Sequence, residues 1–198
     1  MAEYLQARTK AITKIENAYW DLFINQKKMT IINVIKNAGV HKSTFYFYFD
    51  HLDDVLISIK EKQIQLLEQT LNNQNRKDKN FNQLTIDLKN LFNLNRKFLI
   101  PLVMEQRGGD FALQYREILK QEFARDIGLE QTTGNQVKDD ISSVVLNGMI
   151  EMLLSSFASK IIPLQDIYKI GFGIMEKGVR KTLRHDLFIK IQSGEQNA

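Results

Sequence analysis

The chain has 198 residues, 25% of them charged, with a formal net charge of +4, two prolines and no cysteine. Without cysteine there is no disulfide framework and no thiolate metal site, which suits a reducing cytosol, and no apolar run reaches the roughly 18 residues that a membrane span needs. Few breakers and no hairpin signal favour an all-α fold, in a length that fits one compact domain or one and a half.

The opening MAEYLQARTK lacks the apolar core of a signal peptide, so a cytoplasmic location with no membrane partner is expected. Residues 1–27 read as a first helix, because Ile12, Ile15, Ala18, Tyr19, Leu22 and Phe23 form a three-four stripe. Arg8, Lys10 and Lys14 lie on its early turns and fit plain surface side chains.

The stretch from Met29 to Leu56 carries the most information. Ile31, Val34, Ile35 and Ala38 recur at helical spacing after Thr30, whose hydroxyl can cap the helix start. Gly39 ends that helix by taking the left-handed conformation at little steric cost, and Val40 plugs the turn. His41, Lys42, Ser43 and Thr44 open a second helix, which Phe45, Tyr46, Phe47, Tyr48 and Phe49 complete. This is the sequence form of a DNA-binding helix-turn-helix. No acidic residue lies between Leu22 and Phe49, while Lys27, Lys28, Lys36 and Lys42 do. A solvated charged face is the plainer reading of four lysines; their coincidence with the motif favours phosphate binding.

In such a motif the early residues of the second helix meet base edges. Lys42 can donate to guanine O6 and N7, the hydroxyls of Ser43 and Thr44 are permissive, and the Thr44 methyl can meet a thymine methyl. Thr30 can add a phosphate contact, since helix N-termini bind anions. Phe45 and Phe49, four apart, should face inward.

Residues 50–74 predict a long fourth helix, capped by Asp50 or His51, with Asp53 and Asp54 suiting the dipole of its first turn. Its stripe is Leu52, Val55, Leu56, Ile59, Gln63, Leu66, Leu67 and Leu71. Residues 72–80 are polar and read as a linker. The run 81–106 is densely apolar, and Pro101 should kink or break it; Gly108 and Gly109 end it. Residues 111–127 form another amphipathic helix and 128–136 a loop. Residues 137–160 are apolar nearly all round, so that helix should be buried on several sides. After Pro163, residues 164–185 predict a last long helix, in which Gly171, Gly173 and Gly178 suggest close approach of another helix. The tail after Leu187 ends in polar residues.

Thr30, Ile35, Ala38-Gly39-Val40, Ser43-Thr44-Phe45-Tyr46, Tyr48-Phe49 and Asp53-Asp54-Val55-Leu56 together resemble the tetracycline-repressor (TetR) family, over about a quarter of the chain. The resemblance implies a three-helix head over 1–51, a linking helix over 52–75, and a ligand-binding and dimerisation bundle over 76–198. It implies that Tyr46 gives its hydroxyl to a phosphate and that Phe47 and Tyr48 face the DNA, beside His41. One departure is Leu52, where family members carry a lysine that meets a phosphate. The resemblance also implies a homodimer built on the last two helices, with two heads about 34–36 Å apart in successive major grooves of a palindromic duplex.

It further implies a small-molecule effector, for which Phe92, Phe98, Met104, Phe111, Tyr115, Met149, Met152 and Phe172 are candidate pocket residues. Met and aromatic side chains suit an adaptable pocket, although each of them alone fits simple core. The expected function is a ligand-responsive transcriptional regulator, a repressor by preference. The alternative is a helical partner-binding coregulator that has lost specific DNA binding. No phosphate-cradling loop, HExxH pair or nucleophile elbow points to an enzyme or a cofactor, and His41, His51 and His185 lack metal-ligand spacing.

Overall fold

Helical periodicity in the sequence becomes helix after helix in the backbone. The computed structural model describes residues 2–72, 81–126 and 136–159, and among these there are eight α-helices, one π-helical turn and no strand. In order they are α1 (Ala2–Ile24), α2 (Ile31–Ala38), α3 (Lys42–Tyr48), α4 (Leu52–Leu71), α5 (Phe81–Leu94), α6 (Arg96–Leu99), the π turn Ile100–Met104, α7 (Phe111–Asp126) and α8 (Gln136–Ser159). No helix among the described residues is long and apolar enough to cross a membrane.

The head is built on α1, which packs on α2, α3 and α4. Its buried face (Ile15, Ala18, Tyr19, Trp20 and Leu22) joins Val34 and Ala38 of α2, Phe45 and Phe49, and Val55 and Ile59 of α4 in one core. Fully burying an aliphatic or aromatic side chain contributes about 1.5–3 kcal/mol, so this small unit depends on its bulky residues. α1 stops at Ile24, three residues short of the expected end, and Gln26 makes the exit turn with a positive φ of 50°.

α4 begins at Leu52 because Asp54 turns back on it: its carboxylate accepts the amides of Asp50 at 3.0 Å and His51 at 2.7 Å. His51 is the cap residue, and the helix ends at Leu71 rather than 74. The predicted stripe is the buried one, with Val55, Ile59, Gln63, Leu67 and Leu71 inward.

The body packs α5, α6, the π turn, α7 and α8 around the far end of α4. Phe92 meets Phe157 at a ring distance of 5.6 Å, and Phe111 meets Tyr115 at 5.9 Å. The apolar run of 81–106 departs from expectation. It is interrupted at Asn95, before the proline, and Pro101 does not end it. Winding continues through Pro101 as a wider π turn, in which Glu105 donates to the Ile100 carbonyl at 3.1 Å, and stops after Met104. Gly108 follows where a Cβ would lie 2.9 Å from Leu102 Cδ2 and 3.0 Å from Phe111 Cβ, so a side chain there would make its neighbours shift.

α8 combines a buried side with an exposed one. Leu146, Ile150, Leu153, Leu154 and Phe157 are buried, but Val144 is 70% exposed and Asn147, Gly148 and Glu151 are exposed. Among the described residues the face that carries Val144, Asn147, Gly148 and Glu151 is open. The linker over 73–80, the loop over 127–135 and everything from 160 onward, including the helix expected over 164–185, lie outside the described residues.

Candidate nucleic-acid interface

Local bonds set the motif. Thr30 Oγ1 accepts the Asn33 amide at 3.2 Å, as an N-cap should. Gly39 closes α2 with φ +61°, and the amides of Gly39 and Val40 return to Lys36 and Ile35. That is the left-handed closure a side chain would strain. His41 then caps α3: its Nδ1 accepts the Ser43 amide at 3.3 Å and lies 2.8 Å from Ser43 Oγ.

α3 divides its aromatics between inside and outside. Phe45 is fully buried and Phe49 nearly so, their rings 5.9 Å apart. Tyr46 is 46% exposed and Phe47 68% exposed. Lys42 and Ser43 are exposed beside them, and Thr44 is half-buried. Lys42 Nζ lies 5.7 Å from the centre of the Tyr46 ring, a cation–π contact that holds the ammonium along the outer face. Lys27, Lys28 and Lys36 are exposed on the neighbouring segment.

Tyr48 is less exposed than Phe47. It is half-buried, packs edge-on against Phe47 at 4.9 Å, and lines a cleft of about 410 Å³ with Arg8, Ile12, Phe47, Phe49 and Ser58. Thr30 is likewise half-buried under its cap bond. Leu52 is half-buried at the α4 start, with Asp50 and Asp53 exposed next to it.

Beneath the motif, α1 and α4 share a buried carboxylate. Glu16 accepts the Ser58 hydroxyl at 2.9 Å and the Lys62 ammonium at 3.2 Å. A buried charge needs such partners. Burial pushes the Tyr19 hydroxyl above the usual phenol range, and the negative charge of Asp53 adds to it.

The candidate pocket residues of the body do not share one described cleft. Phe92, Phe111 and Tyr115 are buried in ring pairs, and burial pushes the Tyr115 hydroxyl well above the usual phenol range. Phe98 instead packs on Trp20 of α1 at 5.0 Å. Met104, Met149 and Met152 are half-buried, and Phe172 lies outside the described residues. A groove of about 560 Å³ between α7 and α8 is lined by Leu113, Arg116, Lys120, Asn147, Ile150 and Glu151 among others, and by none of these candidates.

Two buried polar groups were not singled out by the sequence. Gln63 Oε1 and Ser156 Oγ have no hydrogen-bond partner among the described residues. Such atoms are few in folded proteins, and both could hold a polar group of a bound molecule. Their only signal was a polar residue at a stripe position. Among the described residues no cluster of His, Asp and Glu could hold a metal ion.

Comparison with protein-family models, with curated proteins and with solved structures finds no match for this chain.

Proposed function

We propose that the protein is a homodimeric, ligand-responsive regulator of the TetR type, which binds a palindromic operator through its helix-turn-helix and is released by a small molecule. One observation carries this reading: α3 presents His41, Lys42, Ser43, Tyr46 and Phe47 outward while Phe45 and Phe49 anchor it inward, on a stretch with lysines and no acid. A short, capped, outward-facing helix with hydrogen-bond donors at its start is what major-groove reading requires. The order of head, long linking helix and helical body accords with the family resemblance.

The face of α8 that is open among the described residues, with Val144 exposed and no described atom near Gly148, supports dimerisation along that helix. The buried oxygens of Gln63 on α4 and Ser156 on α8, which have no partner among the described residues, support an effector site where α4 meets the body. An effector would act only through its different affinities for the two head placements. The reading assigns the chain no catalysis.

A second reading, a partner-binding coregulator, is favoured by Leu52 between the exposed Asp50 and Asp53 and by Ile32 at 71% exposure. Titration of the purified protein into a labelled duplex at several salt concentrations separates the two. A DNA binder loses affinity steeply, with a log–log slope of about −0.9 per phosphate neutralised. A weak, flat response favours the coregulator.

A further inference from the structure

α1 meets the body along one face. Asn17, Trp20 and Ile24 recur at helical spacing, and each is bonded to the segment between Lys97 and Arg107. The Trp20 indole donates to the Lys97 carbonyl at 2.9 Å, across 77 residues of sequence. The Lys97 ammonium donates to Asn17 Oδ1, and the Arg107 guanidinium donates to the Ile24 carbonyl at 3.4 Å. The Trp20 ring also packs on Phe23 at 5.3 Å and on Phe98 at 5.0 Å.

The Lys97 carbonyl has a reason to look outward. In an α-helix it would accept the amide of residue 101, and residue 101 is proline, which has none. The indole supplies the missing donor from another part of the fold. Directly after, the winding widens into the π turn Ile100–Met104; π turns inside helices are often found at functional positions. Arg116 of α7 donates to the Val103 carbonyl of that turn at 3.1 Å and pairs with Glu151 of α8. Bonds therefore run without a gap from α1 through Lys97–Met104 to α7 and α8.

We infer that Trp20 and the Lys97 carbonyl form a strut that fixes the head on the body, separate from the covalent connection through α4. Trp20 is a positioning residue: it lies away from the outward face of α3 and acts by holding α1. In a DNA-binding dimer the strut sets the half-site spacing that the two heads accept. That last consequence rests on the proposed regulator function; the strut itself does not.

The chain has no cysteine, so Asn37→Cys in the head and Gln121→Cys in the body, both exposed, give two clean spin-label sites. Full-length labelled protein is diluted in excess unlabelled protein, so that pulsed dipolar spectroscopy reads the distance within one chain. The strut predicts one narrow distance. Trp20→Phe keeps a ring and removes the donor; Pro101→Ala keeps Trp20 and gives the Lys97 carbonyl a competing amide. Both are expected to broaden or shift the distance more than Lys97→Ala, which keeps the carbonyl and loses only the exposed bond to Asn17.

Unchanged distances in both Trp20→Phe and Pro101→Ala overturn the inference, even if the melting temperature falls. If Trp20→Phe fails to fold by circular dichroism, Pro101→Ala decides. Where the wild type selects a palindrome, Trp20→Phe should accept altered half-site spacings at near parity while keeping base preference within each half-site. A wild type that selects no DNA defeats the regulator reading and leaves the strut to be judged by the distances.

Discussion

The α2–turn–α3 unit and the α6–π segment are both too short to be stable as isolated helices, and opposite kinds of bond hold them. In the head, Thr30 reaches three residues to Asn33, His41 reaches two residues to Ser43, and Gly39 closes the turn between them. In the body, the bonds come from far away. Trp20 reaches Lys97, and Arg116 reaches Val103. Arg96 in turn donates to the Phe157 and Ala158 carbonyls at the end of α8. Local caps fix the internal shape of α2 and α3; long-range bonds fix their place in the molecule, so the fold separates the two.

The comparison can be broken at several points. Phe45 is completely buried, and Phe45→Ala should cost about 3–5 kcal/mol and melt the head first; a loss under about 1 kcal/mol in thermal unfolding would mean that local caps alone hold α3. Arg116→Ala removes two bonds to carbonyls and an ion pair. Its expected cost is about 1.5–3 kcal/mol, with faster hydrogen exchange confined to the body, and equal acceleration in α2 and α3 would contradict the separation. Lys42→Ala should weaken operator binding by about 1–3 kcal/mol and relax one base preference, without moving the melting temperature. Unaltered affinity and preference in a gel-shift series would remove Lys42 from the reading face.

Thr30→Ala should cost about 1 kcal/mol, seen as faster exchange at the start of α2 while the body is untouched. The smallest effect is expected from Tyr115→Phe, which should be neutral near pH 7. Burial raises the folded-state pKa of Tyr115, so an unfolded chain releases that proton first, near pH 10. The stability is full below that value and falls as pH rises toward the folded one. Tyr115→Phe should flatten that part of the alkaline fall, and an identical alkaline unfolding curve would show the hydroxyl to be solvated.

The same division explains what the sequence disclosed. Thr30, Gly39 and the Phe45/Phe49 pair were legible because their partners stand within five residues, where spacing and residue type state the geometry. Helix ends were less so: α4 runs over 52–71 rather than 50–74, since Asp54 chooses the start by bonding backwards. Pro101 was legible as a disturbance, and the kink or break expected there takes the form of a π turn. Its missing amide is local knowledge, but the indole that compensates stands 77 residues away. Phe98 read as pocket lining for the same reason; nothing nearby announces Trp20 as its neighbour. Gln63 sat at a stripe position among leucines and isoleucines, so periodicity buried it without marking that its carbonyl has no partner among the described residues.

The most direct test of the regulator reading is selection of bound sequences from a random duplex pool by the purified full-length protein at near-physiological salt. Enrichment of one palindrome, with half-sites about 34–36 Å apart between centres, is the predicted result. Folded protein that enriches no sequence would contradict it and move the assignment to the partner-binding coregulator.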